Sequence, residues 1–123
     1  MRSPAPAARS SLLSALLAAV VAVGLSGCGG TQTEHRTVNA ARVDGGAGFV
    51  PLTITVDKRN RVVMKVSNTT DTVHGFSIEG YGIQKEVKPG EPIDVKFTAT
   101  NAGTYKVYCQ LHETHKTATL IVR

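Results

Sequence analysis

Tryptophan is absent from this chain of 123 residues, cysteine and methionine occur twice each, and no apolar run is long. Each shortage removes a class of protein. The longest apolar stretch, Leu12 to Leu25, covers about 14 residues, short of the roughly 20 that a permanent bilayer-spanning helix needs. Lys58, Arg59, Arg61, Lys65, Lys85, Lys88, Lys96 and Lys106 are spread along the chain without the dense cluster that nucleic-acid binding requires, so nucleic acid is set aside as a partner. There is no nucleophile with a neighbouring base, no second metal set and no phosphate-binding loop, so no enzyme is expected. No helical period of useful length appears either, which turns attention to strands.

The apolar stretch is preceded by Arg2 and Arg9 and ends on small residues, the pattern of an export signal. Its last four residues, Leu25-Ser26-Gly27-Cys28, resemble the bacterial lipobox. That resemblance implies a signal over residues 1–27 and a mature chain starting at a lipidated Cys28, anchored in membrane lipid on the extracytoplasmic side of the bacterial cell envelope. Acyl chains contribute about 0.8 kcal/mol per buried methylene, so a multiply acylated Cys28 would hold stably. Residues 28–36 are polar and glycine-containing and read as the lipidated N-terminus and a flexible spacer, with His35 exposed in it rather than a ligand. The formal net charge of +5 then falls to about +3, since Arg2 and Arg9 leave with the signal and 12 basic residues face 9 acidic ones.

A lipidated Cys28 cannot form a disulfide, which leaves Cys109 alone outside the cytoplasm. A lone thiol there is open to oxidation unless a metal holds it.

Residues 37–123 read as one all-β domain. Short runs rich in valine, isoleucine and threonine alternate in polarity between turn residues, the mark of a sandwich or barrel. Eight strands are expected near Thr37–Val43, Leu52–Val56, Arg61–Ser67, Thr72–Glu79, Gln84–Lys88, Ile93–Ala99, Thr104–Cys109 and Thr117–Val122. Breaks fall at Gly45-Gly46-Ala47-Gly48, Lys58-Arg59-Asn60, Asn68-Thr69-Thr70-Asp71, Pro89-Gly90 and Asn101-Ala102-Gly103. Val62, Met64 and Val66 share one face, as do Ile93, Val95, Phe97 and Ala99. Tyr105, Val107 and Cys109 form a third such row, which places the sulfur at the top of the core.

Cys109 is followed by His112 and His115, and His74 stands 35 residues upstream in another strand-rich segment. One thiolate and imidazoles from His74 and His112 make a His2Cys set, the trigonal arrangement of blue-copper electron-transfer sites. His115 is open to three roles: a fourth ligand, the loop ligand in place of His112, or an exposed loop residue. Ligation is favoured, because imidazole is a stronger donor than a thioether. Glu113, a hard carboxylate donor on an exposed loop, is a weaker candidate for that position. Met64 lies on an apolar strand face and is assigned to the core. One cysteine with three histidines also suits tetrahedral zinc, but copper(II) outranks zinc in intrinsic affinity, so a single copper ion is expected.

These motifs run in a recognisable order: His74-Gly75-Phe76-Ser77-Ile78, Tyr81-Gly82-Ile83, Pro89-Gly90, Phe97-Thr98, Gly103-Thr104-Tyr105, Cys109-x2-His112, and Ala118-x-Leu120-x-Val122. Over Phe49 to Val122 the chain resembles the bacterial cupredoxins, in particular the small lipoprotein and EfeO-type cupredoxin-like domains and the copper domain of cytochrome oxidase subunit II. The resemblance implies a Greek-key β-sandwich with copper held by loops at one end. The oxidase domain's two-cysteine dinuclear centre is excluded, because Cys109 is the only cysteine available. An axial methionine after the loop histidine is missing as well. The expected role is that of a monomeric, membrane-tethered electron carrier meeting an unidentified redox protein. The alternatives are copper trafficking or buffering with a copper-exchange protein, and a metal-free interaction module.

Overall fold

Alternation of apolar and polar side chains decides most of the strands. In the computed structural model, which describes residues 3–4 and 30–123, every second residue of Arg61–Asn68 is buried: Val62, Met64, Val66 and Asn68. The expected export signal, Ser3 and Pro4 apart, and the expected lipid attachment at Cys28 lie outside the described residues. Nine strands and no helix are found among the described residues. They are β1 (Thr33–Val43), β2 (Gly46–Val50), β3 (Thr53–Val56), β4 (Arg61–Asn68), β5 (His74–Ile78), β6 (Ile83–Val87), β7 (Ile93–Thr98), β8 (Gly103–Tyr108) and β9 (Ala118–Val122).

They form two packed sheets, one ordered β2-β1-β4-β7 and the other β3-β9-β8-β5-β6. Pairing is antiparallel except for β1 with β4 and β3 with β9, where the chain crosses between sheets, and the result is the all-β Greek-key sandwich. Between the sheets Phe49 meets Phe76 edge to face at 5.5 Å, among fully buried Val38, Met64, Val66 and Leu120. Each such side chain contributes about 1.5–3 kcal/mol by leaving water.

Two expectations are corrected. The stretch from Gly46, expected to be a turn, is the strand β2, which makes nine strands rather than eight. Its cause is the two-residue hairpin Asp44-Gly45, with φ of 46° and 79°, the left-handed pair that matches strand twist and sets Val43 opposite Gly46. Further, β1 begins at Thr33 rather than Thr37, so the spacer expected over residues 28–36 ends by about Gln32. Its polar residues are held in the sandwich by bonds to β3 and the turn that follows it. Arg36 pairs with Glu34 and donates through Nε to the Thr55 carbonyl at 2.9 Å. Glu34 in turn accepts from the Asp57 amide at 2.7 Å and from Asn60 Nδ2 at 2.8 Å. His35 therefore sits exposed on a strand, opposite Val63.

The sandwich has two distinct ends. At one, β1 and β4 finish, β5 starts and β8 finishes; at the other, β1 and β4 start beside the close of β3, β7 and β9.

Candidate metal centre

Antiparallel pairing of β5 with β8 sets Ser77 opposite Tyr108 and Ile78 opposite Val107, which brings the start of β5 beside the end of β8. His74 opens the first strand and Cys109 directly follows the second. The loop then turns back at His112, closed by a bond from the His115 amide to the His112 carbonyl at 3.2 Å. In consequence the ligand atoms of His74, Cys109 and His112 all lie within 4.8 Å of one another. His112 Nδ1 is 3.5 Å from Cys109 Sγ.

The three donors differ in exposure. His74 and Cys109 are buried, at 4% and 6% exposure, while His112 is open to solvent. His74 Nε2 lies 3.3 Å from Thr72 Oγ1, and its Nδ1 is buried with no partner. The tautomer that avoids a stranded N–H places the proton on Nε2, donated to Thr72, and leaves a bare lone pair at Nδ1. Burial pushes the pKa of His74 below 6.5, helped by the neighbouring His115 and His112 and opposed by Asp71. A neutral imidazole with a free lone pair is what a metal needs.

His115 is buried too, its ring 4.9 Å from that of His74 and 4.3 Å from that of Phe49. Its Nδ1–H donates to the Lys116 carbonyl at 3.0 Å, and Nε2 has no partner. Desolvation lowers its pKa, against the opposing pull of that carbonyl. It stands outside the triangle formed by His74, Cys109 and His112. Glu113 is exposed on the loop, and Met64 is in the core, fully buried.

The residues present fit a metal ion. One sulfur, a bare buried imidazole nitrogen and a second imidazole converge, and no buried carboxylate joins them. A family model for the cupredoxin-like domain matches residues 15–122. The chain belongs to this family. Among its relatives, cytochrome c oxidase subunit 2 of Thermus thermophilus is 34% identical over 80 residues, covering 62% of this chain and 58% of the relative. The match thus spans little more than half of that relative's length. Two solved structures share the fold. The metal-binding domain of the Streptococcus pneumoniae Cu(I)-exporting P-type ATPase superposes with a TM-score of 0.62 at 14% identity, over 76% of this chain and 94% of that one. For the purple cupredoxin of Nitrosopumilus maritimus the TM-score is 0.55 at 15% identity, over 72% and 99% of the two chains.

Two residues that position the site in this cupredoxin-like domain escaped the sequence reading. Gln110 crosses over Gly75 on the outer face of β5: its Oε1 accepts from Ser77 Oγ at 2.7 Å and its Nε2 donates to the Lys85 carbonyl at 2.8 Å. A Cβ on Gly75 would meet Gln110 Oε1 at 2.1 Å, so any other residue there would push the Gln110 amide out of this position. The same glycine donates its amide to Cys109 Sγ at 3.1 Å. An isolated glycine in a strand is itself a signal of close approach. Asn68 is the second. Buried at 2% exposure, it donates from Nδ2 to the carbonyls of Thr72 at 2.7 Å and Val87 at 2.8 Å, and its Oδ1 accepts from the Thr70 amide at 2.9 Å. This asparagine-centred turn fixes the approach to His74. Asn68 at the head of a polar turn was its sequence sign.

Proposed function

We propose that this cupredoxin-like domain is a mononuclear copper protein of the bacterial envelope, anchored through Cys28, that carries single electrons rather than catalysing a reaction. The observation that carries the reading is the unequal exposure of three convergent donors: two buried and one, His112, open to a partner. Copper held there would supply a one-electron couple. His74 and Cys109 would hold it from rigid strand ends, and the Gly75 amide would stabilise negative charge on the sulfur. Three donors of this type suit copper better than zinc, whose structural sites are four-coordinate. His115 packs beside His74, with its Nε2 buried and without a partner.

An extracytoplasmic location is supported by the lipobox-like sequence and by the oxidase relative. The test is to load the mature protein with Cu(II), record its visible spectrum, and cycle it electrochemically. Reversible cycling without loss of metal supports the carrier. If a chelator or an acceptor domain strips the metal readily and cycling releases it, the role is copper trafficking with a copper-exchange partner. His115→Ala divides the ligand question: a changed spectrum assigns ligation to His115, and an unchanged one leaves His74, Cys109 and His112 alone.

A further inference from the structure

Basic residues that look scattered in the sequence are gathered by the fold at the end of the sandwich away from the His/Cys cluster. Lys58, Arg59 and Arg61 occupy the β3–β4 turn and its exit, all exposed. Backbone bonds tie this turn to the C-terminus and to β7: the Lys58 amide donates to the Arg123 carbonyl at 2.8 Å, and the Arg59 amide to the Ala99 carbonyl at 2.6 Å. Among the described residues none of the three makes an ion pair, and the one acidic side chain of the turn, Asp57, is taken by Arg123 at 3.1 Å. The opposite end is different. There Arg42 and Lys116 are paired with Asp71 and Asp44, leaving Lys88 against Glu91 and Glu113. The molecule is therefore polarised: at this end three basic side chains without ion pairs face one such acid, Glu79 in the β5–β6 turn, while the end that bears the metal site is slightly acidic.

Arg59 adds a second, independent observation. Its φ is 73°, in the left-handed region where a side chain is disfavoured and glycine is at ease. The start of the described chain lies at the same end, where the Arg61 amide donates to the Gln32 carbonyl at 2.8 Å. Only three residues of sequence, Gly29, Gly30 and Thr31, separate Gln32 from Cys28. Four residue steps reach about 14 Å at most.

We infer that Lys58, Arg59 and Arg61 form a contact surface for anionic lipid headgroups, which seats the domain upright on its membrane with the His/Cys site facing away. The inference rests on the proposed anchor at Cys28 for its proximity to the bilayer, and on the structure for its charge and geometry. The eleven residues of β1 rise about 3.3 Å each, so the site would stand roughly 30 Å above the headgroups. A redox partner would then have to meet it at that height. Loss of one basic residue should weaken the contact about fivefold and loss of all three about a hundredfold.

The test uses the lipidated protein on vesicles of phosphatidylcholine with or without phosphatidylglycerol. Fluorophores are placed by Asn101→Cys at the basic end or by Thr70→Cys at the site end, and a headgroup-linked quencher reads their distance from the surface. On phosphatidylglycerol vesicles the Asn101→Cys label should be quenched several-fold more than the Thr70→Cys label, and high salt should remove the difference. The same removal is expected from Lys58→Glu combined with Arg61→Glu. Arg59→Gly, which relieves backbone strain and so keeps the fold, should reduce it in part. Equal quenching of the two labels, or a preference untouched by charge reversal, would overturn the inference and leave the rim to an acidic protein. Protein that fails to float with phosphatidylcholine vesicles reports failure of the anchor. The rim is then judged by recruitment to phosphatidylglycerol vesicles, which supports it when present and overturns it when absent.

Discussion

The two ends of the sandwich satisfy their polar groups in opposite ways. At the basic end the backbone closes on itself, with Arg61 bonded to Gln32, Ala99 to Asn60 and Lys58 to Arg123, and the partly buried Glu34 has a full set of donors. At the other end His74 Nδ1 and His115 Nε2 are buried without partners. The third such atom among the described residues, the Tyr81 hydroxyl, lies toward the basic end against the rings of Phe97 and Tyr105, so the contrast is two against one. A buried polar atom left unpaired costs about 1–3 kcal/mol, so an end that keeps two of them is shaped for something other than stability.

The largest effect that would break this contrast is Cys109→Ser. If the triangle is a copper site, the variant loses the whole intense visible band of the Cu(II) form, because a serine hydroxyl neither ionises as readily nor donates as softly as a thiol. Optical titration checks it, and circular dichroism of the metal-free variant should still report the sandwich. Full retention of the band would make the cluster structural.

Next comes Gln110→Ala, which removes two hydrogen bonds that clamp the ligand loop across Gly75. At about 0.5–1.5 kcal/mol each, the loss should lower metal-free stability by about 1–3 kcal/mol in chemical denaturation. It should also shift the visible band, because the Gly75 amide no longer sits firmly against the sulfur. Ser77→Ala takes away only one of the two bonds and should cost about half as much.

A smaller effect separates the ends by pH. His74 and His115 are held below 6.5 in the folded protein, chiefly by desolvation. As the pH falls through the unfolded value of 6.5 the unfolded chain takes up more protons than the native one. Stability of the metal-free domain is therefore complete above about 6.5 and declines below it, through the lowered folded values. Replacing both histidines by glutamine should flatten the acid side of the profile measured by thermal melts.

The smallest expected change lies at the basic end. Arg59→Gly relieves a left-handed backbone at the cost of extra chain entropy when unfolded, for a net gain of a few tenths to about 1 kcal/mol. Denaturant midpoints resolve it, and a loss of stability would show that the Arg59 side chain has a supporting contact.

Much of this contrast can be read in the sequence. Val62, Met64 and Val66 announce β4 by strict alternation, and the Cys109-x2-His112 spacing after a strand marks the loop that carries two of the three converging side chains. What stayed hidden depends on contacts between distant residues. Thr33 to Arg36 lack an apolar face and read as spacer, because only Thr55, Asp57 and Asn60 complete the bonds that make the segment a strand. Gly46 to Val50 reads as a turn because its glycines mask a short strand, although Asp44-Gly45 is itself a hairpin signal. The sequence marks His74 as a ligand but leaves the role of His115 open. The register of β5 against β8 brings the first into the triangle, and the fold of the loop before β9 leaves the second beside it.

The parallel pair β3–β9 sets Thr53, in the third strand, against Thr119, in the ninth. The sheet that carries His74 and Cys109 thus cannot be finished until the last residues of the chain have joined it. Pairings between such distant segments form slowly, since the intervening chain must be closed first. The ligand triangle is assembled by the β5–β8 pairing, and a metal offered to a chain in which those two strands have not yet met would find its donors unassembled.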